Sequence, residues 1–374
     1  MFVNATVVPI LPIMVVVTAG QALQWPIAQA ANGVIRAPTL KWTVGARRCY
    51  NHAAMTGSAR GVVVAEELQV IFGGGPLGLA VTRAQHRAGN QVRMVTRSGR
   101  TVVPDGVEVM AADAADHAAV RRACQGAAVV YHCAATPYAT WPQSLPPLMD
   151  GIIAGAAAAG ARLVYGDNLY CYGPVSGPLT EGLPYRATGP NGRVRAQLAE
   201  TLLAAHEQGT VRAAIGRASD FFGPYVRVSA MGDRVFPAVL AGRPAQVLPN
   251  PDMAHTYTFI DDFAAGLVVL GEREEAMGQV WHVPSAETLT TRRFVEVVFE
   301  QAGTAPRIRV APKLGITVLA LVNPTMRAVK ERLYQTERPF VVDHGKFERA
   351  FGATPTPHPQ AIERTLEWYR SSGS

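Results

Sequence analysis

The 374-residue chain reads as an α/β protein: a Rossmann-type doubly wound parallel sheet with a smaller C-terminal substrate lobe. Three observations predict this. The apolar run "LQVIF" ends in a glycine-rich loop, which an alanine-rich helical stretch and a second apolar run, "QVRMVTR", follow. Short apolar runs then alternate with helical stretches: "VEVMAAD" (107–113), "AVVYHCAA" (128–135), "ARLVYGD" (161–167) and "VRAAIGR" (211–217). A composition of 48% hydrophobic and 17% charged residues is that of a chain with a sizeable core.

Residues 1–65 stand apart as a leader. They hold no Asp or Glu and five of the 35 basic residues, so the rest of the chain sets 30 basic against all 28 acidic groups. The formal net charge of +7 is therefore local, and no Lys/Arg run with interleaved aromatics points to nucleic acid. The apolar run "VVPILPIMVVVTA" is too short to give a stable membrane span. We expect residues 1–65 to lie outside the native fold as translated sequence upstream of a start near Met55 or the valines at 62–64. A cleaved signal is the second reading. The expected domains are a dinucleotide-binding unit over 66–224 and a substrate lobe over 225–374, whose segment around 255–270 returns to the first unit. Cys49, Cys124, Cys133 and Cys171 show no metal-ligand spacing, and they suit buried thiols in a reduced cytoplasmic protein.

The loop Gly73-Gly74-Gly75-Pro76-Leu77-Gly78 carries GxGxxG between a strand and a helix. Gly73 permits the turn, Gly75 lets the backbone approach a pyrophosphate, and Gly78 lets the helix pack on the strand. The amides around Pro76 and Leu77 then face the phosphates. The second strand ends in Thr96-Arg97-Ser98 where an NAD site usually holds an acid. An Arg beside a hydroxyl suits a 2′-phosphate, so NADP is preferred and NAD is the alternative. Asp113 is placed to receive the adenine, and Ala134 and Ala135 are small enough to let the cofactor pass.

With these segments in order, together with "LVYGDNLYCYGP", "GRASDFFGP", "HTYTFIDDFAAGLVVL" and "GQVWHVPSAETLTTRRFVEVV", the chain resembles the extended short-chain dehydrogenases of the NAD-dependent epimerase/dehydratase family over about residues 68–370. The resemblance implies catalysis by a Ser/Thr, a Tyr and a Lys, the last two spaced YxxxK on one helix face. This chain departs in all three places. Its only lysines are Lys41, Lys313, Lys330 and Lys346, so no YxxxK exists in the cofactor unit. The corresponding helix, "GPNGRVRAQLAETLLAAH", offers Asn191 or Gly192 near the Tyr position, with Arg193 and Arg195 where a Lys belongs. The Ser/Thr position falls on Asn168.

Candidate replacements are Asp167, Asn168, Tyr170 and Arg195. Arg195 can place a positive charge beside a phenol but cannot release a proton. Tyr170 is the candidate proton donor, whereas Tyr172 is read as scaffold. Asp167 is read equally as an orienting base or a turn-former. Arg227, Arg234, Arg243 and His255 are read as surface or structural residues. The apolar stretch 314–335, broken at Asn323-Pro324, is expected to pack on the protein itself, with a cover over the cleft, a homodimer face or a membrane-surface contact as other readings. The function expected is an NADP(H)-dependent oxidoreductase or epimerase-like enzyme for a small hydroxyl or carbonyl substrate, with no metal. A catalytically silent cofactor-binding regulator is the alternative.

Overall fold

The computed structural model describes residues 67–372, so the expectation for the leader lies outside them. β1 (Leu68–Phe72), α1 (Pro76–Arg87), β2 (Gln91–Thr96), β3 (Glu108–Ala111), α2 (His117–Cys124), β4 (Ala127–His132), α3 (Trp141–Ala159), β5 (Arg162–Asp167), α4 (Pro190–Glu207) and β6 (Arg212–Arg217) follow in strict alternation after β3. The C-terminal half adds β7 (Phe221–Phe222), α5 (Phe236–Leu240), β8 (Ala245–Val247), β9 (Ala254–His255), β10 (Thr258–Phe259), α6 (Ile260–Glu272), β11 (Val280–His282), β12 (Leu289–Thr290), α7 (Thr291–Ala302) and β13 (Ile308–Val310). It closes with α8 (Lys313–Val322), α9 (Pro324–Glu331), α10 (Tyr334–Glu337), α11 (Gly345–Phe351) and α12 (His358–Ser371).

Seven parallel strands form the main sheet in the order β11-β6-β5-β4-β1-β2-β3. The chain leaves β1 in one direction and returns through β4 in the other, which opens a crevice at the carboxyl ends of β1 and β4. Both faces are covered, and the strands obey the two-residue period. Val70, Phe72, Val130, Leu163, Tyr165 and Ile215 join the core under α2, α3 and α4. Ile71, Tyr131, Val164 and Ala214 join the opposite core, with Phe263 and Leu267 of α6. A third core gathers Phe236, Phe294, Val298, Ile362 and Leu366 from α5, α7 and α12.

Two buried histidines end strands of the sheet. Burial, and secondarily the charge of Arg195, pushes His132 down from 6.5 to about 3. Burial likewise lowers His282, although its Nδ1 lies 3.0 Å from the Asp343 carbonyl oxygen and its Nε2 2.9 Å from Tyr172 Oη. A neutral His282 fits both contacts if Nδ1–H donates and Nε2 accepts. Both folded pKa values are depressed, so below the unfolded value of 6.5 the unfolded chain binds more protons and stability falls. Each histidine costs about 1.4 kcal/mol per pH unit in that window. Urea unfolding is therefore expected to lose on the order of 2–4 kcal/mol between about pH 7 and about pH 5. A flat profile there would refute the buried neutral pair.

Candidate active site

A cleft of about 820 Å³ runs along the carboxyl end of the sheet from the glycine loop to the start of the C-terminal lobe. At one end Gly73 has φ +111°, and a Cβ there would lie 2.6 Å from the Ala134 backbone. A Cβ on Gly78 would stand 1.8 Å from the Gly73 carbonyl oxygen, so only glycine lets α1 sit this close to the loop. A Cβ on Gly75 would meet nothing within 4 Å. Helix α1 starts at Pro76 with no side-chain cap and no acid in its first turn. Its first amides are left for an anion, and the cradle fits a dinucleotide pyrophosphate.

Pro76, Leu77, Ala134 and Ala135 line the cleft, and so do Arg97 and Asp113. Arg97 and Asp113 are exposed, and Asp113 Oδ1 also accepts from the Ala115 amide at 3.0 Å. Ser98 does not share this place: its Oγ is bonded into its own turn through the Arg100 amide, at 3.3 Å.

Asp167, Asn168, Tyr170 and Arg195 all line the middle of the cleft. Their partners differ from the expected ones. Asp167, the last residue of β5, is buried between two guanidinium groups. Arg195 Nη1 donates to its Oδ1 at 3.2 Å and Arg217 Nε to its Oδ2 at 3.0 Å. Arg195 also donates to Tyr165 Oη at 2.6 Å and lies 4.1 Å above the Trp141 ring. Its Nε is buried and has no partner among the described residues. Arg193 is exposed and bonds the Thr188 carbonyl, so of the two arginines only Arg195 enters the cleft. The turn-forming role considered for Asp167 falls to Asn168, whose Oδ1 accepts from the Tyr170 amide at 3.0 Å.

Tyr170 does not pair with Arg195. Its Oη accepts from Nη1 of Arg332 at 2.7 Å, a residue delivered by the corner between α9 and α10. Burial raises the phenol well above its usual pKa, and the Arg332 charge opposes that rise. Asp220 lines the same wall. Burial pushes its carboxyl up, but His255, whose Nε2 is 3.2 Å from Oδ2, and Arg332 together hold it below the usual range. Tyr172 is scaffold: its Oη meets Arg217 Nη1 at 2.9 Å and His282 at 2.9 Å. Tyr185 Oη accepts from Arg217 Nη2 at 3.0 Å.

Three residues of this site escaped the sequence reading. Arg217 had a legible signal, a charge closing the apolar run "VRAAIGR". Asp220 follows it in a loop, and nothing local marks Arg332. Among the described residues no cluster of His, Cys, Asp and Glu could hold a metal ion.

The sequence model of the NAD dependent epimerase/dehydratase family matches residues 70–283. Solved structures share the fold at low identity. An epimerase from Methanothermobacter thermautotrophicus superposes with TM-score 0.70 at 17% identity, covering 82% of this chain and 93% of that one. The dTDP-glucose 4,6-dehydratase DesIV from Streptomyces venezuelae, solved with NAD, gives 0.66 at 18%, covering 81% and 97%. UDP-glucose 4-epimerase from Thermus thermophilus, also with NAD, gives 0.67 at 19%, covering 82% and 99%. No curated protein sequence matches the chain.

The two glycines of the cradle separate packing from binding. Gly78→Ala is expected to cost about 1–3 kcal/mol of stability in urea unfolding, because the helix must move off the loop. Gly75→Ala should stay within about 0.5 kcal/mol of the parent and weaken dinucleotide binding by about tenfold or more in a fluorescence titration. Unchanged binding in Gly75→Ala would remove the pyrophosphate from this loop.

Proposed function

The chain belongs to the NAD dependent epimerase/dehydratase family of enzymes, and within it we propose an NADP(H)-dependent oxidoreductase or epimerase-like enzyme for a small hydroxyl or carbonyl substrate. Residues 66–224 would hold the cofactor and 225–374 would shape the substrate side. The observation that carries the reading is the Tyr170–Arg332 contact inside the cleft that also contains the glycine cradle.

Gly73, Gly75, Pro76, Leu77 and Gly78 would hold the pyrophosphate, Asp113 the adenosine end, and Ala134 and Ala135 the passage between them. Arg97 would bind a 2′-phosphate, and its exposure at the cleft edge supports NADP. When bound, the cofactor supplies or accepts a hydride at the substrate carbon. Tyr170 handles the matching proton. Its raised pKa keeps the phenol protonated through neutral pH, so Oη can give a proton to a substrate oxygen that gains charge. Arg332 then stabilises the phenolate left behind. In the oxidation direction the same phenolate takes the proton back. Arg195 would place its charge beside the cofactor and substrate side of the cleft, while Asp167 fixes the guanidinium plane. Asn168 shapes the turn that presents Tyr170.

Tyr170→Phe is expected to lower turnover by about 10²–10⁴-fold across a panel of carbonyl substrates with cofactor affinity unchanged. Full activity in this variant would discard Tyr170 as the proton donor. Arg97→Ala should weaken NADPH binding by about tenfold or more and leave NADH nearly unaffected. Equal losses for both cofactors would rule out the 2′-phosphate contact.

A further inference from the structure

A surface helix normally turns its apolar stripe inward, but α8 does the reverse. Its buried residues are only Ile316 and Ala320. Leu314, Val318, Leu321 and Val322, spaced i, i+4, i+7 and i+8, are 75%, 55%, 72% and 81% exposed, with Leu319 beside them at 52%. Five of the ten exposed large hydrophobic residues described thus fall within nine positions. The expected packing of 314–335 on the protein holds for its second half, which reaches the cleft, but not for its first half, which faces out.

The charge along this stretch is mostly basic, with Glu331 and Glu337 the first acids to follow it. Residues 301–330 contain no Asp or Glu and five basic residues, Arg307, Arg309, Lys313, Arg327 and Lys330. Lys313 is tied to Glu337, and Arg327 Nε donates to the Ala320 carbonyl at 3.1 Å. Arg307, Arg309 and Lys330 are exposed. We infer that the α8 face is a peripheral docking surface for an anionic lipid bilayer. The helix lies in the interface with its leucines and valines at the acyl boundary and the arginines and Lys330 among the headgroups. No described helix is long and apolar enough to cross a membrane, which leaves docking on one leaflet. Charge argues against a second copy as the occupant, because it would bring an equally cationic face.

The test is co-sedimentation of the full chain with phosphatidylcholine vesicles, with and without phosphatidylserine. Binding is expected with the anionic vesicles, weak with the neutral ones, and falling as salt is raised. Leu321→Asp combined with Val322→Asp should weaken it about tenfold or more at unchanged melting temperature, because both side chains are exposed. Arg307→Gln with Arg309→Gln should reduce binding to anionic vesicles only. Failure of the parent chain to sediment with either vesicle overturns the inference, as does undiminished binding of the Asp variant. So does a concentration-dependent dimer that the Asp variant dissociates while vesicles are ignored. Equal binding to both vesicles would remove the electrostatic part of the argument and overturn it as stated.

Discussion

The Asp167 carboxylate, shared between two buried guanidinium groups, is the constraint from which the rest of the site follows. It joins the end of β5 to α4 through Arg195 and to the end of β6 through Arg217, beside the crevice of the sheet. One negative charge between two positive ones leaves a net positive centre out of water, which is costly unless every remaining donor finds a partner. Arg217 spends its other nitrogens on Tyr172 and Tyr185, whereas Arg195 leans on Tyr165 and the Trp141 face and leaves its Nε without a partner among the described residues. The polarity then runs outward. Arg217 donates to Tyr172, which leaves the Tyr172 hydroxyl proton for His282, and His282 can donate onward to Asp343. A protonated His282 would set two donors against one hydroxyl. The depressed histidine and the buried arginine are therefore one network.

That network restricts where proton chemistry can sit. A lysine beside a tyrosine can tune the phenol and lose its own proton, whereas a guanidinium can do only the first. The start of α4 is also closed to a large side chain. A Cβ on Gly192 would lie 2.4 Å from the Ala187 Cβ and 2.8 Å from the Tyr170 carbonyl oxygen, and one on Gly189 would meet Glu331 at 2.2 Å. Glu331 instead accepts from the amides of Asn191 and Gly192 at 3.0 and 3.1 Å, satisfying the helix start with a carboxylate from α9. In the proposed arrangement the phenol therefore comes from the turn after β5, and its cationic neighbour from the C-terminal segment.

The sheet and the cradle were legible because their signals are local. A strand's period, a glycine run and the helix after it are written within about 30 residues, and the expected strands "ARLVYGD" and "VRAAIGR" differ from β5 and β6 by one residue at the start. Asp167, Asn168, Tyr170 and Arg195 could be placed at the cleft by their distance from recognisable segments. Their pairing could not. Tyr170 and Arg332 are 162 residues apart, and nothing around Arg332 distinguishes it from the other arginines. The outward face of α8 was hidden for the opposite reason, since apolar residues at helical spacing read as core until the structure shows which side is covered.

The two ends of the cleft are consequently held by different means. The cradle is fixed by backbone approach, with Gly73 against Ala134 and Gly78 against Gly73. The Tyr170 side depends on a docked hairpin. Only Asn323 separates α8 from α9; its Oδ1 accepts from the Thr325 and Met326 amides, while Arg327 bonds back to the Ala320 carbonyl. That corner has little slack, and its hydrogen bonds tie the end of α8 to the start of α9. At the far end of the hairpin Glu331 holds the α4 start and Arg332 holds the Tyr170 hydroxyl. Withdrawing the hairpin would break both contacts together: the phenol would lose its cation while the cofactor cradle kept its shape. In the proposed reading, proton transfer could thus be lost without loss of dinucleotide binding, because separate parts of the chain build the two ends.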